Sequence, residues 1–129
     1  KAPLRLVLDK DLSLPDSLHI FDGSVPTIVF TSKEKESYNN VEYILLDFST
    51  SILPQMMEVL YARNIQSLLV EGGSQLLQSF LDENCWDEIF VEEAPFTLQD
   101  GVKAPVPPTD CCIETTPYFG RIITRYKRK

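Results

Sequence analysis

Continuous apolar runs alternate with amphipathic runs along most of this chain. Short runs rich in branched apolar residues predict buried strands at residues 4–8, 26–31, 43–47 and 67–71. Strands that are apolar along their whole length, rather than at every second position, are typical of parallel sheets with both faces covered. The pattern therefore predicts a parallel sheet with right-handed helical crossovers.

Two of the stretches between the strands have helical periodicity. Residues 51–63 carry apolar side chains three and four positions apart, preceded by serine and threonine as candidate N-caps, with Pro54 in the first turn. A second helix is predicted to open at Gly72 and Gly73 and to end near Asn84. Each helix has one apolar face, which is expected to be its buried side.

The pattern changes in the last third of the chain. Residues 86–93 predict a fifth strand, whereas residues 98–110 contain too many prolines to form regular structure for long. Residues 111–118 and 121–126 predict an antiparallel hairpin. The expected fold class is α/β, a mostly parallel sheet flanked by helices with this antiparallel hairpin at the C-terminal end.

Composition limits the classes of function. A chain of 129 residues that is 43% hydrophobic and 24% charged is expected to form a single domain over residues 1–129. Its net charge of −7 disfavours broad binding to nucleic acids or to anionic membranes, so an anionic ligand must be met by a few local groups. No apolar run is long enough to cross a membrane and no signal peptide is evident, so a cytoplasmic location is expected.

Cysteine and histidine do not indicate a metal site. The three cysteines are Cys85, Cys111 and Cys112, and no two of them have the Cys-x-x-Cys spacing of zinc ligands. The single histidine, His19, has apolar neighbours and is interpreted as structural. We therefore expect reduced thiols and no bound metal.

The strand-to-helix turn at residues 67–77 is the main candidate for a binding site. A helix N-terminus presents free N–H groups and the positive end of the helix dipole, and glycine lets an anion come close. Glu71 would direct its carboxylate into the same crevice. A tight turn whose glycines serve packing alone explains the same pattern, and the sequence does not separate the two interpretations. Lys10 and Asp9 follow the first strand at the edge where α/β sheets bind ligands, although a solvated loop is the simpler interpretation there.

Four short motifs occur in a characteristic order: Leu-Arg-Leu-Val-Leu-Asp at 4–9, Pro-Thr-Ile-Val-Phe-Thr at 26–31, Val-Glu-Gly-Gly at 70–73, and Trp-Asp-Glu-Ile at 86–89 with Ala-Pro at 94–95. In this order they resemble the reductase domain of bacterial RibD-type proteins, the bifunctional deaminase/reductases of riboflavin biosynthesis. The resemblance implies a dihydrofolate-reductase-like fold. It also implies NADPH-dependent reduction of 5-amino-6-(5-phosphoribosylamino)uracil to its ribitylamino form.

The resemblance also assigns roles by position. Glu71 is expected to contact the substrate, and Lys10 to meet the nucleotide. The NADPH phosphates are expected to lie against one segment, made of Gly73, Ser74, Gln75, Leu76, Leu77, Gln78 and Ser79. No residue is assigned to the catalytic step.

The resemblance is partial. The N-terminal half of the family's reductase domain and the motifs of its zinc deaminase are not found in these residues. The chain is therefore expected to be the C-terminal part of a reductase domain, incomplete at the substrate end and inactive alone, in a protein that forms homodimers. Two alternatives remain open, a non-catalytic assembly or dimerisation module and a pterin-type reductase of the same fold.

Overall fold

The first three apolar runs pair as a parallel sheet of β1 (Arg5–Leu8), β2 (Thr27–Thr31) and β3 (Val41–Leu45). β2 lies in the middle and is buried along its whole length, as its uninterrupted apolar sequence predicts. The computed structural model describes residues 2–129. They divide into one compact unit that ends at Ser67 and a second that begins at Leu68.

One face of the parallel sheet is covered by the loop that connects β1 to β2. This loop contains a short 3-10 helix, His19–Phe21. Phe21 is buried in one cluster with Val29 of β2 and Val41 of β3. Thr27 and Thr31 share this face of β2, because side chains alternate along a strand.

The opposite face carries Ile28 and Phe30, which are also buried. Helix α1 (Ile52–Ala62) buries one stripe of side chains, formed by Leu53, Met56 and Leu60. Just beyond its last residue, Arg63 donates from both terminal nitrogens to the carboxylate of Glu42 on β3, at 2.8 and 2.6 Å. This ion pair fixes the C-terminal end of α1 to the sheet.

The start of α1 differs in one detail from the predicted cap. Ser51 occupies the N-cap position, but its side chain makes no capping hydrogen bond. Gln55 instead holds the preceding loop: its amide oxygen accepts from the Asp47 N–H at 2.8 Å, and its amide nitrogen donates to the Ser51 carbonyl at 3.0 Å. A side chain one turn into the helix thus orders the entry to it.

The second unit contains helix α2 (Ser74–Asp82) and an antiparallel sheet of β4 (Glu88–Glu93), β5 (Cys112–Tyr118) and β6 (Arg121–Lys127). The predicted C-terminal hairpin is confirmed as β5 and β6. The alternation of strands and helices had placed β4 in the parallel sheet. This placement is wrong, because β4 pairs antiparallel with β6, in the order β4-β6-β5. The α/β class is confirmed, with three parallel and three antiparallel strands in the described residues.

The prediction of a strand at residues 67–71 is wrong. Within residues 2–129 this stretch has no ladder partner and forms no strand. Leu69, in its middle, is 82% exposed. An apolar run predicts burial, but a strand also needs a neighbour whose backbone completes its hydrogen bonds. The prediction of a single domain over residues 1–129 stays a prediction.

Candidate functional site

The N-terminus of α2 is free of side-chain caps. Gly73 is the N-cap residue, with φ −69° and ψ 163°, and it makes no side-chain capping hydrogen bond. The first turn also contains no acidic residue. Because the first N–H groups of a helix have no acceptor within the helix, this end can receive an anion.

The two glycines of the turn have different roles. Gly72 has φ +151°, a backbone conformation that residues with a side chain rarely adopt, so the turn requires glycine there. Gly73 has an ordinary φ, and a Cβ built on it would meet no atom of residues 2–129 within 4 Å. Packing therefore does not explain Gly73, and the space beside it is open to a ligand.

A cavity of about 540 Å³ runs along α2. One wall is formed by Ser74, Gln75, Gln78, Ser79 and Asp82 of the helix. The other wall is formed by the proline-rich segment, through Lys103, Ala104, Pro105 and Val106. The segment that the sequence marked only as irregular thus lines a cavity that includes four of the residues predicted to hold the cofactor phosphates, Ser74, Gln75, Gln78 and Ser79.

The seven residues predicted to hold the cofactor phosphates differ in the hydrogen-bonding groups that they can offer to a ligand. Ser79 donates its hydroxyl to the Leu76 carbonyl at 2.6 Å, and Gln78 donates its amide to the Asp82 carboxylate at 2.7 Å, so both are engaged within the helix. Leu76 and Leu77 are half-buried and can offer only backbone groups. The residues best suited to an anion are therefore at the very start of the segment, at Gly73, Ser74 and Gln75.

Glu71 is exposed and lies two residues before the N-cap. The sequence placed it at the end of a buried strand that would aim its carboxylate into a crevice. That strand is not formed, so the structure gives the carboxylate no such fixed direction.

Lys10 belongs to the first unit, whereas Glu71 and the segment from Gly73 to Ser79 belong to the second. The carbonyl oxygen of Lys10 accepts three hydrogen bonds. One comes from the Thr31 hydroxyl at 2.9 Å, and the other two come from the N–H and the hydroxyl of Ser32 at 3.0 and 2.8 Å. These bonds join the carboxyl ends of β1 and β2. The ammonium group is exposed and lies 5.8 Å from the centre of the Phe48 ring.

Its neighbour Asp9 is occupied by the loop that follows. Asp9 is buried, and its carboxylate accepts from the N–H groups of Ser13 and Leu14 at 2.9 and 3.1 Å. A carboxylate so engaged holds the loop in place and is not available to a ligand. Of the two polar residues after β1, only Lys10 presents a free charge.

Asp47, two residues beyond β3, is likewise used by a turn. One of its carboxylate oxygens accepts from the hydroxyl and the N–H of Ser49 at 2.6 and 2.9 Å. These two hydrogen bonds lower the pKa of Asp47 below its ordinary value. The negative charge therefore persists at neutral pH but serves the turn.

Residues 1–110 match the family model of the RibD C-terminal domain. This chain belongs to the RibD C-terminal domain family. The match contains β1 to β4 and both helices, together with the segment that lines the cavity.

Individual relatives agree with this membership. The riboflavin biosynthesis protein RibD of Aquifex aeolicus is 35% identical over 110 residues, which cover 80% of this chain and 30% of that protein. The 2,5-diamino-6-ribosylamino-4(3H)-pyrimidinone 5′-phosphate reductase of Archaeoglobus fulgidus is 28% identical over 102 residues, which cover 74% of this chain and 47% of that protein. The chain thus spans less than half the length of either relative.

A solved structure shows a similar fold. The riboflavin biosynthesis reductase Rib7 of Saccharomyces cerevisiae matches 98% of this chain and 69% of its own length, with a TM-score of 0.78 and 16% sequence identity. At this identity the similarity concerns the fold alone. It confirms that the RibD C-terminal domain has the reductase fold that the sequence motifs implied.

Sequence reasoning missed Lys103 as a residue of the site. It lies 30 positions after Gly73 and has no motif around it, so only the folded chain brings it to the cavity beside α2. Residues 2–129 lack two further features. No group of three His, Cys, Asp or Glu side chains is placed to hold a metal ion, and no helix is long and apolar enough to span a membrane.

Proposed function

We propose that this chain forms the cofactor-binding part of a riboflavin-pathway reductase. The reaction is the NADPH-dependent reduction of 5-amino-6-(5-phosphoribosylamino)uracil, a phosphorylated aminopyrimidine, to its ribitylamino form. Membership of the RibD C-terminal domain family supports the reaction class, and the names of the relatives support a phosphorylated pyrimidine as substrate. Because the chain spans only part of those relatives, the activity is proposed for the full-length protein.

The observation that carries the proposal is the uncapped start of α2 beside an open Gly73. A pyrophosphate needs N–H donors and close approach to the backbone, and both are present there. The net charge of −7 makes such a local site necessary, because the protein as a whole repels an anionic nucleotide. The residues present therefore fit a dinucleotide phosphate.

NADPH supplies the hydride, and the protein binds and orients the reactants. In the proposed arrangement the N–H groups of Gly73, Ser74 and Gln75 donate to the phosphates, and the segment continues along α2 to Ser79. The role expected for Lys10, a positive charge for the 2′-phosphate or another nucleotide group, stays a separate prediction, because Lys10 belongs to the first unit. Glu71 hydrogen-bonds the substrate through its carboxylate.

We also propose that the full-length protein is a homodimer. Tyr126 and Ile122 of β6 lie on the same sheet face as Ile113 of β5, because Ile113 is paired with Tyr126 across the ladder. Ile113 and Ile122 are about half exposed, and a shared apolar face of this kind favours a protein partner. The cytoplasmic location expected from the sequence stays a prediction.

A turnover assay on the full-length protein tests the reaction. NADPH oxidation is followed with the phosphoribosylaminouracil and, separately, with a dihydropterin. The proposal expects turnover with the first compound only. Turnover with the pterin alone would change the substrate class, and NADPH binding without turnover of either compound would reduce the protein to a binding module.

A further inference from the structure

The cavity beside α2 has a cationic group on its second wall, and this group is Lys103. We infer that Lys103 is a further cofactor-binding residue, whose ammonium pairs with the pyrophosphate of NADPH held at the start of α2. The inference rests on the proposed function, because it takes the ligand of this cavity to be NADPH. It adds a residue from a part of the chain for which the sequence suggested no role.

Lys103 is the one basic side chain lining this cavity, and it has no ionic partner among the described residues. The other cations of the second unit are mostly engaged. Arg121 and Arg125 form ion pairs with glutamates of β4 at 2.6 and 2.9 Å. Arg128 donates to the Asn84 carbonyl at 2.6 Å, and Lys129 donates to Asp110 at 3.1 Å.

Charge is distributed unevenly along the cavity. Its one carboxylate, Asp82, lies at the last position of α2 and already accepts from Gln78. Asp82 lies eight positions after Ser74, which is about 12 Å along a helix. An anion is therefore favoured at the Ser74 end, where the helix dipole is positive and the carboxylate is distant.

The backbone of the segment that carries Lys103 is constrained on both sides of this residue. Gly101 has φ +153°, and its N–H donates to the Asp100 carboxylate at 2.8 Å, so the chain turns just before Lys103. Pro105, two residues later, limits the backbone and lies in the cavity wall. Lys103 is thus presented between a turn and a rigid residue, while its flexible ammonium remains free to reach a phosphate.

The test uses calorimetric titration of the full-length protein with NADPH and with NADH, which share the pyrophosphate but differ in the 2′-phosphate. Lys103→Met is expected to lower the binding affinity for both cofactors by about five- to tenfold, which is the effect of losing one partly solvated, charge-assisted contact. Lys103→Arg should restore most of the affinity. Lys127→Met, which removes an exposed lysine of β6 that does not line the cavity, is the matched control and should leave both affinities unchanged.

The outcomes separate this inference from the proposed function. Unchanged affinities in Lys103→Met would overturn the role of Lys103, and the cofactor site itself would stand if Gly73→Asp still abolished binding. A lower affinity for NADPH with an unchanged affinity for NADH would also overturn it, because Lys103 would then pair with the 2′-phosphate. If neither substitution affected NADPH, the proposed cofactor site would fail together with the inference.

Discussion

Gly72 and Gly73 are adjacent, yet only Gly72 is required by the backbone. Gly72 has φ +151°, whereas Gly73 has φ −69° and open space where a Cβ would stand. The difference separates the two interpretations of the turn that the sequence left open. A structural glycine explains the first position, and access for a ligand explains the second.

Alanine at the two positions should therefore have different effects. Gly72→Ala is expected to lower the free energy of unfolding by about 1–2 kcal/mol, because it forces a side chain into a strained backbone conformation. Gly73→Ala should cost less, about 0.5 kcal/mol, because alanine is only a poorer N-cap residue than glycine and meets no strain there. Urea denaturation of the two variants measures this, and equal destabilisation by both would show that Gly73 is also structural.

The Arg63–Glu42 pair predicts a pH dependence. The two hydrogen bonds from Arg63 lower the pKa of Glu42 below its ordinary value, so the pair stabilises the fold above the unfolded-state pKa and this contribution is lost as the pH falls through the folded-state pKa. Both side chains are about 40% exposed, so solvent screening limits the contribution to less than about 1 kcal/mol.

Glu42→Gln should accordingly lower the free energy of unfolding at pH 7, and the difference from the parent should shrink towards zero in acid. Glu58→Gln removes an exposed carboxylate of α1 for which the structure shows no partner, and it is the matched control. Denaturation curves at several pH values give the comparison. A difference that stayed constant from neutral to acidic pH would contradict the role of the ion pair.

Much of the first unit followed from the sequence, and the reason is visible in β2. All five of its residues are buried, so hydrophobic pattern and packing agree there. The run at 67–71 looked the same, but within residues 2–129 it pairs with no strand, and pattern alone does not specify a partner. The hydrogen bonds of Gln55 to the loop before α1 were not predicted, and neither was the position of Lys103 beside α2. Each depends on the folded path of a loop.

The exposed run at 67–71 leads to a further prediction. Leu69→Ala in the 129-residue chain should change the free energy of unfolding by less than about 0.5 kcal/mol, because Leu69 is 82% exposed. Leu53→Ala, which truncates a buried side chain of α1, should cost about 2–5 kcal/mol. Chemical denaturation compares the two, and a large loss from Leu69→Ala would mean that the run is buried as a strand after all.

The central claim is that the start of α2 binds the phosphates of NADPH. Gly73→Asp tests it most directly, because it places a carboxylate where the phosphates are proposed to lie, at a position with room for a side chain. Calorimetric titration of the full-length protein should show NADPH affinity reduced by at least about tenfold, while the melting temperature without ligand is unchanged. Gln66→Glu, which adds the same charge at an exposed position outside the turn, should bind NADPH like the parent. Unaltered NADPH affinity in a folded Gly73→Asp variant would contradict the account.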